Sequence, residues 1–564
     1  MKRTGAQILC ESLLREGVEV IFGISGGTVI PLYNAFSEYP QIRRILVRHE
    51  QAAAHAAAGY ARAMHKAGVC VATSGPGATN LVTGIADAYM DSTPLVVITG
   101  QVSTGLIGKD AFQECDITGI TLPIIKHNYL VHDVNDLARI VKEAFHIAQS
   151  GRPGPVLIDI PKNVQTAMTD FAYPETVDLP GYKPVSEPNP SHVTNAAELL
   201  NQAERPVIIA GRGVIISQAY EELRSLAEKY QAPVVHTLLG LGSFSPRHDL
   251  HFGMLGHHGT VAANMAIQEA DLILAIGTRF GDRATMRTRD FARKAVVVHI
   301  DIDPAEIGKN IVPFASVVGD ARQILCQLTP LVNRVERPEW LLQLREWKSE
   351  HPLAPAAAPG TLSARTAIRQ VCRSADDRTT IVTGVGQHQM FAAQEYASPR
   401  LNGFISSGGL GTMGFELPAA IGVQMASPQD AVWVVAGDGS FQMTMQELST
   451  IVQEGLSVKI AVISNGYLGM VRQWQDLFQQ HNYVDVALHA PDFVKLADAY
   501  GISAVRVDNE EDIGLALSRA TAHPGPFLID FVVDPEENVY PMVAPGESLD
   551  CIIEVPERTQ AMAS

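Results

Sequence analysis

Apolar runs of strand length alternate with helix-period stretches over most of the chain, and three such series separate from one another. In the first, VEVIFG (18–23), RRILVRHE (43–50), GVCVATS (68–74), PLVVITG (94–100) and GPVLIDI (154–160) are spaced by helical segments. Near-continuous apolar strands, each followed by a helix pattern, predict a mostly parallel, doubly wound sheet for residues 1–165. Residues 166–190 end in the proline-rich DLPGYKPVSEPNP and read as a connector. The pattern restarts with PVIIAGRG (206–213), PVVHTL (233–238), DLILAIG (271–277) and VVVHIDID (296–303), which predicts a second α/β domain over 191–335. After a second connector, HPLAPAAAPG (351–360), a third domain is expected over 361–545. The fold class is therefore α/β, with three doubly wound parallel-sheet domains. GRPGPVLIDI (151–160) and HPGPFLIDF (523–531) close the first and third series alike, so those two domains are expected to be related.

Composition changes this picture little. A chain of 564 residues exceeds one core, and 46% apolar with 18% charged residues describes a globular protein. A net charge of −17 and the lack of a Lys/Arg run argue against nucleic acid as a partner, and an anionic substrate must meet local positive groups. The six cysteines lack CxxC spacing and read as thiols of a reducing compartment. The N-terminus resembles an amphipathic helix and lacks the apolar core of a signal peptide or membrane span, so a soluble cytoplasmic protein is expected.

The stretch with the most chemistry is 431–474. AVWVVA (431–436) runs into Gly437-Asp438-Gly439-Ser440, MTMQELSTIVQ (443–453) has helical spacing, and VKIAVI (458–463) ends at Ser464-Asn465-Gly466. Two parallel strands joined by a helix place Asp438 and Asn465 at neighbouring strand ends, where open α/β sheets bind ligands. A carboxylate, an amide oxygen and a backbone carbonyl near Tyr467 suit Mg²⁺, which prefers oxygen ligands together with phosphate and water. Gly437 and Gly439 allow the main chain close to a diphosphate. Glu50 ends a strand-like run and opens an alanine-rich helix in RHEQAAAHAAAGYARA. It is either a helix N-terminal anion or a partly desolvated carboxylate suited to proton exchange.

GDG followed at this interval by Asn resembles the signature of the thiamin diphosphate enzymes, with Ser464 in place of a first Asn. Other segments resemble the acetohydroxyacid (acetolactate) synthase branch of that family over nearly the whole chain. They are FGISGGTVIPLY (22–33), SGPGATN (74–80), TGQVSTGLIGKDAFQE (99–114), VTGVGQHQMFAAQ (382–394), SSGGLGTMGFELPAAIG (406–422) and MVRQW (470–474). The resemblance implies that Glu50 contacts the aminopyrimidine, that Gly27 faces the reacting centre, and that Pro76, Asn80 and Met413 pack around the cofactor. It implies that Gln387, His388, Gly437, Gly439, Ser440, Gly469 and Met470 meet the diphosphate side, with Asp438, Asn465 and Tyr467 on the metal. Phe112, Gln113, Lys162, Arg283 and Trp474 would serve the substrates. Apart from that resemblance, His388 reads as a satisfied core histidine. Ser25 and Ser103 stand where proline is usual, and Glu416 stands where glycine is usual; a carboxylate there would repel a diphosphate unless it pointed away or met a cation.

In the middle domain, GRG (211–213), HTLLGLGSF (236–244) and GTRFGDR (277–283) resemble the FAD-holding region of these synthases. FAD is expected at Arg152, Gly211, Gly213, Thr237, Leu238, Arg279, Asp301 and Asp320. RFGDR replaces RFDDR, His257 replaces Met, and without GxGxxG the site is not a dinucleotide site of the usual kind. The function implied is acetolactate synthase: pyruvate is decarboxylated and its two-carbon unit ligated to a second 2-keto acid. The alternatives are another decarboxylase, carboligase or flavin-linked oxidase of the same fold, or a non-catalytic cofactor-binding protein. The resemblance further implies a homodimer or homotetramer whose site spans two chains, and a separate small regulatory subunit as partner.

Overall fold

The computed structural model describes residues 2–555. It contains three six-stranded sheets, all of them parallel. In the first, Arg43–Leu46 lies beside Val20–Gly23, followed by Gly68–Ala72, Leu95–Gln101, Pro155–Pro161 and His127–Leu130. In the third, Phe404–Ser406 lies beside Thr379–Thr383, followed by Ala431–Gly437, Lys459–Ser464, Phe527–Val532 and Ser503–Val507. Numbered within each domain, both sheets run 2-1-3-4-6-5, so the first and third domains share a topology as well as their closing sequence echo. The middle sheet runs 3-2-1-4-5-6 from His251–Met254 to Ala315–Val318, which is the order of dinucleotide-binding sheets.

Strand interiors are buried on both faces, as in GVCVA (68–72) and PVIIA (206–210), because helices cover each sheet twice. The first helix, Gly5–Arg15, is opened by a capping box in which Thr4 and Gln7 satisfy each other's free backbone donors. The helix expected over 443–453 is broken into Met445–Glu447 and Leu448–Gln453, behind the short helix Asp438–Gln442. Glu447 at that break is fully buried and accepts from the Arg48 backbone N–H at 2.8 Å, so a contact with the first domain takes over from local helix geometry.

Connectors carry more structure than their composition suggests. Met168–Asp170 pairs antiparallel with Lys2–Thr4. Pro338–Glu350 seals the middle core with Trp340, Leu341 and Leu344, and Val543 and Leu549 return to that same core. The middle unit thus extends beyond residue 335.

Domains one and three share one core. Helices Glu50–Met64 and Glu416–Ala426 cross against each other, and the seven positions Ala52–Ala58 are all buried. A Cβ on Gly422 would stand 1.9 Å from Ala56 O, and one on Gly59 would stand 2.1 Å from Ala419 O. Two glycines therefore set how closely these helices approach.

Candidate active site

Register places the two strand ends as the spacing implies. Gly437 pairs with Ile463, so Asp438 and Asn465 leave neighbouring strands at the carboxyl edge. The cleft they enter opens where the sheet reverses direction, between Thr379–Thr383 and Ala431–Gly437, and encloses about 620 Å³ including its mouth. Gly386, Gln387, His388, Met413, Gly437, Asp438, Gly439, Ser440, Asn465, Tyr467, Gly469 and Met470 all line it.

Asp438 is almost fully buried. Its oxygens accept from Gly439 N at 2.9 Å and Gly466 N at 2.7 Å, which leaves a second lone pair on each. Burial lifts its pKa to about 6, and the two backbone donors oppose that rise. Asn465 donates to Gln387 Oε1 at 3.3 Å and accepts from Tyr467 N at 3.0 Å, which fixes its amide. Two more acids line the cleft, but Asp534 is taken up by Ala358 N and Glu537 by Ser363 and Ala364 N, so they hold the 356–364 connector. Among the described lining residues none is Lys or Arg. An anionic diphosphate can enter such an acidic cleft only with a divalent cation to neutralise it. Glycines clear the space: a Cβ on Gly437 would lie 2.6 Å from His388 Nδ1, and one on Gly469 would lie 2.1 Å from Gln387 Oε1.

His388 is a buried histidine that also borders the cleft. Burial lowers its pKa to about 3, and Nε2 is unpartnered. Ser440 accepts from Gly414 N at 2.9 Å and donates to Glu416 Oε2 at 3.0 Å, holding the turn that carries Met413. Glu416 does not line the cleft: it is fully buried at a helix start, and burial lifts its pKa to about 7.

Among the described residues, none from 1–165 lines this cleft. The first-domain candidates gather separately at the carboxyl edge of their own sheet. Glu50 opens its helix and accepts from Asn80 Nδ2 at 3.0 Å. Asn80 and Pro76 belong to one short helix, and Gly75 before it has φ +62° and abuts Gln113, whose φ is +61°. Phe112 is 89% exposed, Gly27 has open space around it, and Lys162 is exposed beyond its strand. Glu114 organises this loop, accepting from Gly108 N and, at 3.0 Å, from Ala111 N.

Trp474 joins the third domain to the middle one: the Arg283 guanidinium lies 5.3 Å from its ring and His257 lies 5.6 Å away. The remaining middle-domain candidates lie at the carboxyl edge of their sheet. Gly211 and Gly213 press on Gly277 where the strand order reverses, Thr237 and Leu238 follow Val234–His236, and Asp301 ends Val296–Asp301. Arg279 lies against Gly409, and Arg152 reaches Glu306 at 2.6 Å and Asp303 at 3.3 Å. Asp320 caps the helix Ala321–Leu331 through Gln323 N.

Sequence reasoning missed the anchor behind Met413. Buried Arg62 pairs with Asp91 at 3.0 Å, Asp91 accepts from Gly408 and Gly409 N, and Asp87 accepts from Ser407 Oγ. Over 300 residues separate Asp87 and Asp91 from their partners at 407–409, and no local pattern marks them.

Fold and site together define a thiamine-dependent enzyme. The family models described as thiamine pyrophosphate enzyme N-terminal TPP binding, central and C-terminal TPP binding domains match residues 3–120, 193–328 and 384–531. The chain is 50% identical to the acetolactate synthase large subunit of Mycobacterium tuberculosis, covering 97% of this chain and 91% of that one. It is 47% identical to the Corynebacterium glutamicum large subunit (97% and 89% covered) and 45% identical to that of Pyropia yezoensis (100% and 97%). The chain belongs to the acetolactate synthase large-subunit family of thiamine pyrophosphate enzymes.

Proposed function

We propose that this chain is the catalytic subunit of an acetolactate synthase. It decarboxylates pyruvate and joins the two-carbon unit to a second 2-keto acid, giving 2-acetolactate or 2-aceto-2-hydroxybutyrate. The observation that carries the reading is the cleft at the third-domain switch point, where Asp438 and Asn465 share an acidic, glycine-cleared pocket. Asp438, Asn465 and a carbonyl near Tyr467 would hold Mg²⁺; Gly437, Gly439, Gln387, His388, Ser440, Gly469 and Met470 would surround the diphosphate, with Met413 against the cofactor body. Thiamin diphosphate, when bound, supplies the nucleophilic carbon and the electron sink. Glu50, held by Asn80, would exchange a proton with the aminopyrimidine N1′, beside Gly27, Pro76 and Gln113. Since these groups lie outside the cleft of their own chain, the reading requires a homodimer or a multiple of it. Arg283 would take the acceptor's carboxylate, Trp474 its alkyl end, and Phe112 and Lys162 the approach.

FAD would sit at the carboxyl edge of the middle sheet among Arg152, Gly211, Gly213, Thr237, Leu238, Arg279, Asp301 and Asp320. The unpartnered buried Arg212 Nε and Glu306 Oε2 there support a polar ligand, and Gly281 of RFGDR borders open space. The relatives' designation as large subunits supports a small regulatory partner. The free cysteines support a reducing, cytoplasmic location, and no described helix is long and apolar enough to cross a membrane. The test is purified protein with thiamin diphosphate, Mg²⁺ and pyruvate. Acetolactate formed with CO₂, without reduction of an electron acceptor, supports the reading; CO₂ without a ligated product overturns it.

A further inference from the structure

The closing echo shared by the first and third domains carries an acid at the same place: Asp159 in GPVLIDI and Asp530 in GPFLIDF. Register makes the two equivalent. Asp159 stands beside Thr99 on the fourth strand of its sheet, and Asp530 stands beside Val462 on the fourth strand of its own. In each domain the carboxylate also reaches the residue two places further on, Gln101 in the first and Ser464 in the third. Ser464 precedes Asn465, so in the third domain this contact steadies the turn read as holding the metal. By the same geometry Gln101 opens the loop that carries Phe112 and Gln113.

The two acids differ in what completes them. Asp530 accepts from Ser464 Oγ at 2.6 Å and from the Arg506 guanidinium at 3.0 Å, so it is an ion pair. Asp159 is 1% exposed and its hydrogen bonds come from neutral donors, Thr99 Oγ1 at 2.8 Å and Gln101 Nε2 at 2.9 Å. The Gln101 amide is committed at every side: Oε1 accepts from Val102 N at 2.9 Å, and Nε2 also donates to Cys115 O at 2.8 Å. That carbonyl ends the loop. At the loop's start, Thr104 N donates to Asn163 Oδ1 at 2.9 Å and Thr104 Oγ1 accepts from Asn163 Nδ2 at 3.0 Å. Between the two ties, Asp110 and Gln113 have φ +53° and +61°, which a non-glycine residue holds only where its surroundings fix it. Gln113 lies two residues from the Cys115 tie, and its backbone abuts Gly75.

We propose that Asp159 and Gln101 form a positioning pair for the substrate loop: the buried carboxylate fixes the amide, and the amide fixes the loop's end at Cys115 so that Phe112 and Gln113 face the reacting groups. The proposal rests on the reading of the chain as a 2-keto acid ligase. Neither residue touches substrate; both act through the backbone that they hold.

The test uses the full-length protein with thiamin diphosphate and Mg²⁺ and compares wild type with Asp159→Asn, Gln101→Glu and the double variant. Asp159→Asn sets one NH₂ against another, and Gln101→Glu sets one carboxyl against another, so each single variant should melt lower. The double variant restores a donor facing an acceptor between the two side chains but leaves Cys115 O opposite a carboxylate oxygen. Its melting temperature should return close to wild type. Hydrogen exchange in peptides covering 104–114 should nevertheless stay about tenfold faster than wild type, the worth of one hydrogen bond. Acetolactate formation should stay about ten- to hundredfold down in kcat, as expected when groups at the reacting centre are misplaced. A double variant that recovers loop protection and kcat together with its melting temperature overturns the proposal and makes the pair a strand-to-strand contact only. Faster loop exchange with unchanged kcat overturns it too, as does exchange that rises equally in Leu95–Gln101 and Pro155–Pro161. Wild type that releases CO₂ without ligating anything sinks the underlying ligase reading instead, and the loop's exchange reads out independently of that result.

Discussion

Glu416 offers the sharpest electrostatic test of the site. It is fully buried, Oε2 accepts from Ser440 Oγ at 3.0 Å, and Oε1 has no partner. Burial lifts its pKa from 4.5 to about 7, opposed by the Ser440 hydrogen bond and backbone donors. The folded chain therefore holds this proton where the unfolded chain has released it, so the group's contribution falls as pH rises from about 4.5 and levels off above about 7.5. At 1.36 kcal/mol per pKa unit, the loss is about 1.4 kcal/mol at pH 5.5 and about 3 kcal/mol by pH 7.5. Glu416→Gln mimics the protonated acid at every pH. Guanidinium unfolding of both proteins between pH 5.5 and 8.5 should show the variant gaining on wild type by about 2 kcal/mol across that range. Other carboxyls whose pKa burial raises, including Asp87, Asp159 and Asp301, are common to both proteins and cancel in the difference. Parallel stability curves would refute the claim that desolvation raises the pKa of Glu416.

Asp438→Ala should weaken Mg²⁺-supported thiamin diphosphate binding by about 100-fold or more in titration calorimetry, and affinity within threefold of wild type would remove Asp438 from the metal site. Glu50→Gln keeps an oxygen for Asn80 and should fold normally, while turnover on pyruvate falls about 10²–10⁴-fold; near-normal turnover ends the proton-exchange role. Gly422→Ala drives a methyl into Ala56 O and Tyr60 N, so overpacking of about 3 kcal/mol should outweigh a helix-propensity gain of about 1 kcal/mol. Melting temperature checks it, and an unchanged or higher value would mean that the two helices separate freely.

Much of the fold and the cleft of the third domain could be read along the chain because their causes are local. A continuous apolar run means a strand covered on both faces, and the strand–helix–strand interval brings Asp438 and Asn465 to neighbouring ends whatever surrounds them. Gly437 and Gly439 announce close approach because a side chain there meets His388 or Leu488. What remained hidden depends on partners far apart in sequence. The charge state of Glu416 follows from its complete burial, which no neighbouring residue reveals. The anchor of Asp87, Asp91 and Arg62 behind the 407–413 turn, and the meeting of His257 with Trp474, join domains through contacts made only after packing. Periodicity decides which face of an element is apolar, whereas desolvation and cross-domain hydrogen bonds arise from which faces finally meet, and only the tertiary structure decides that.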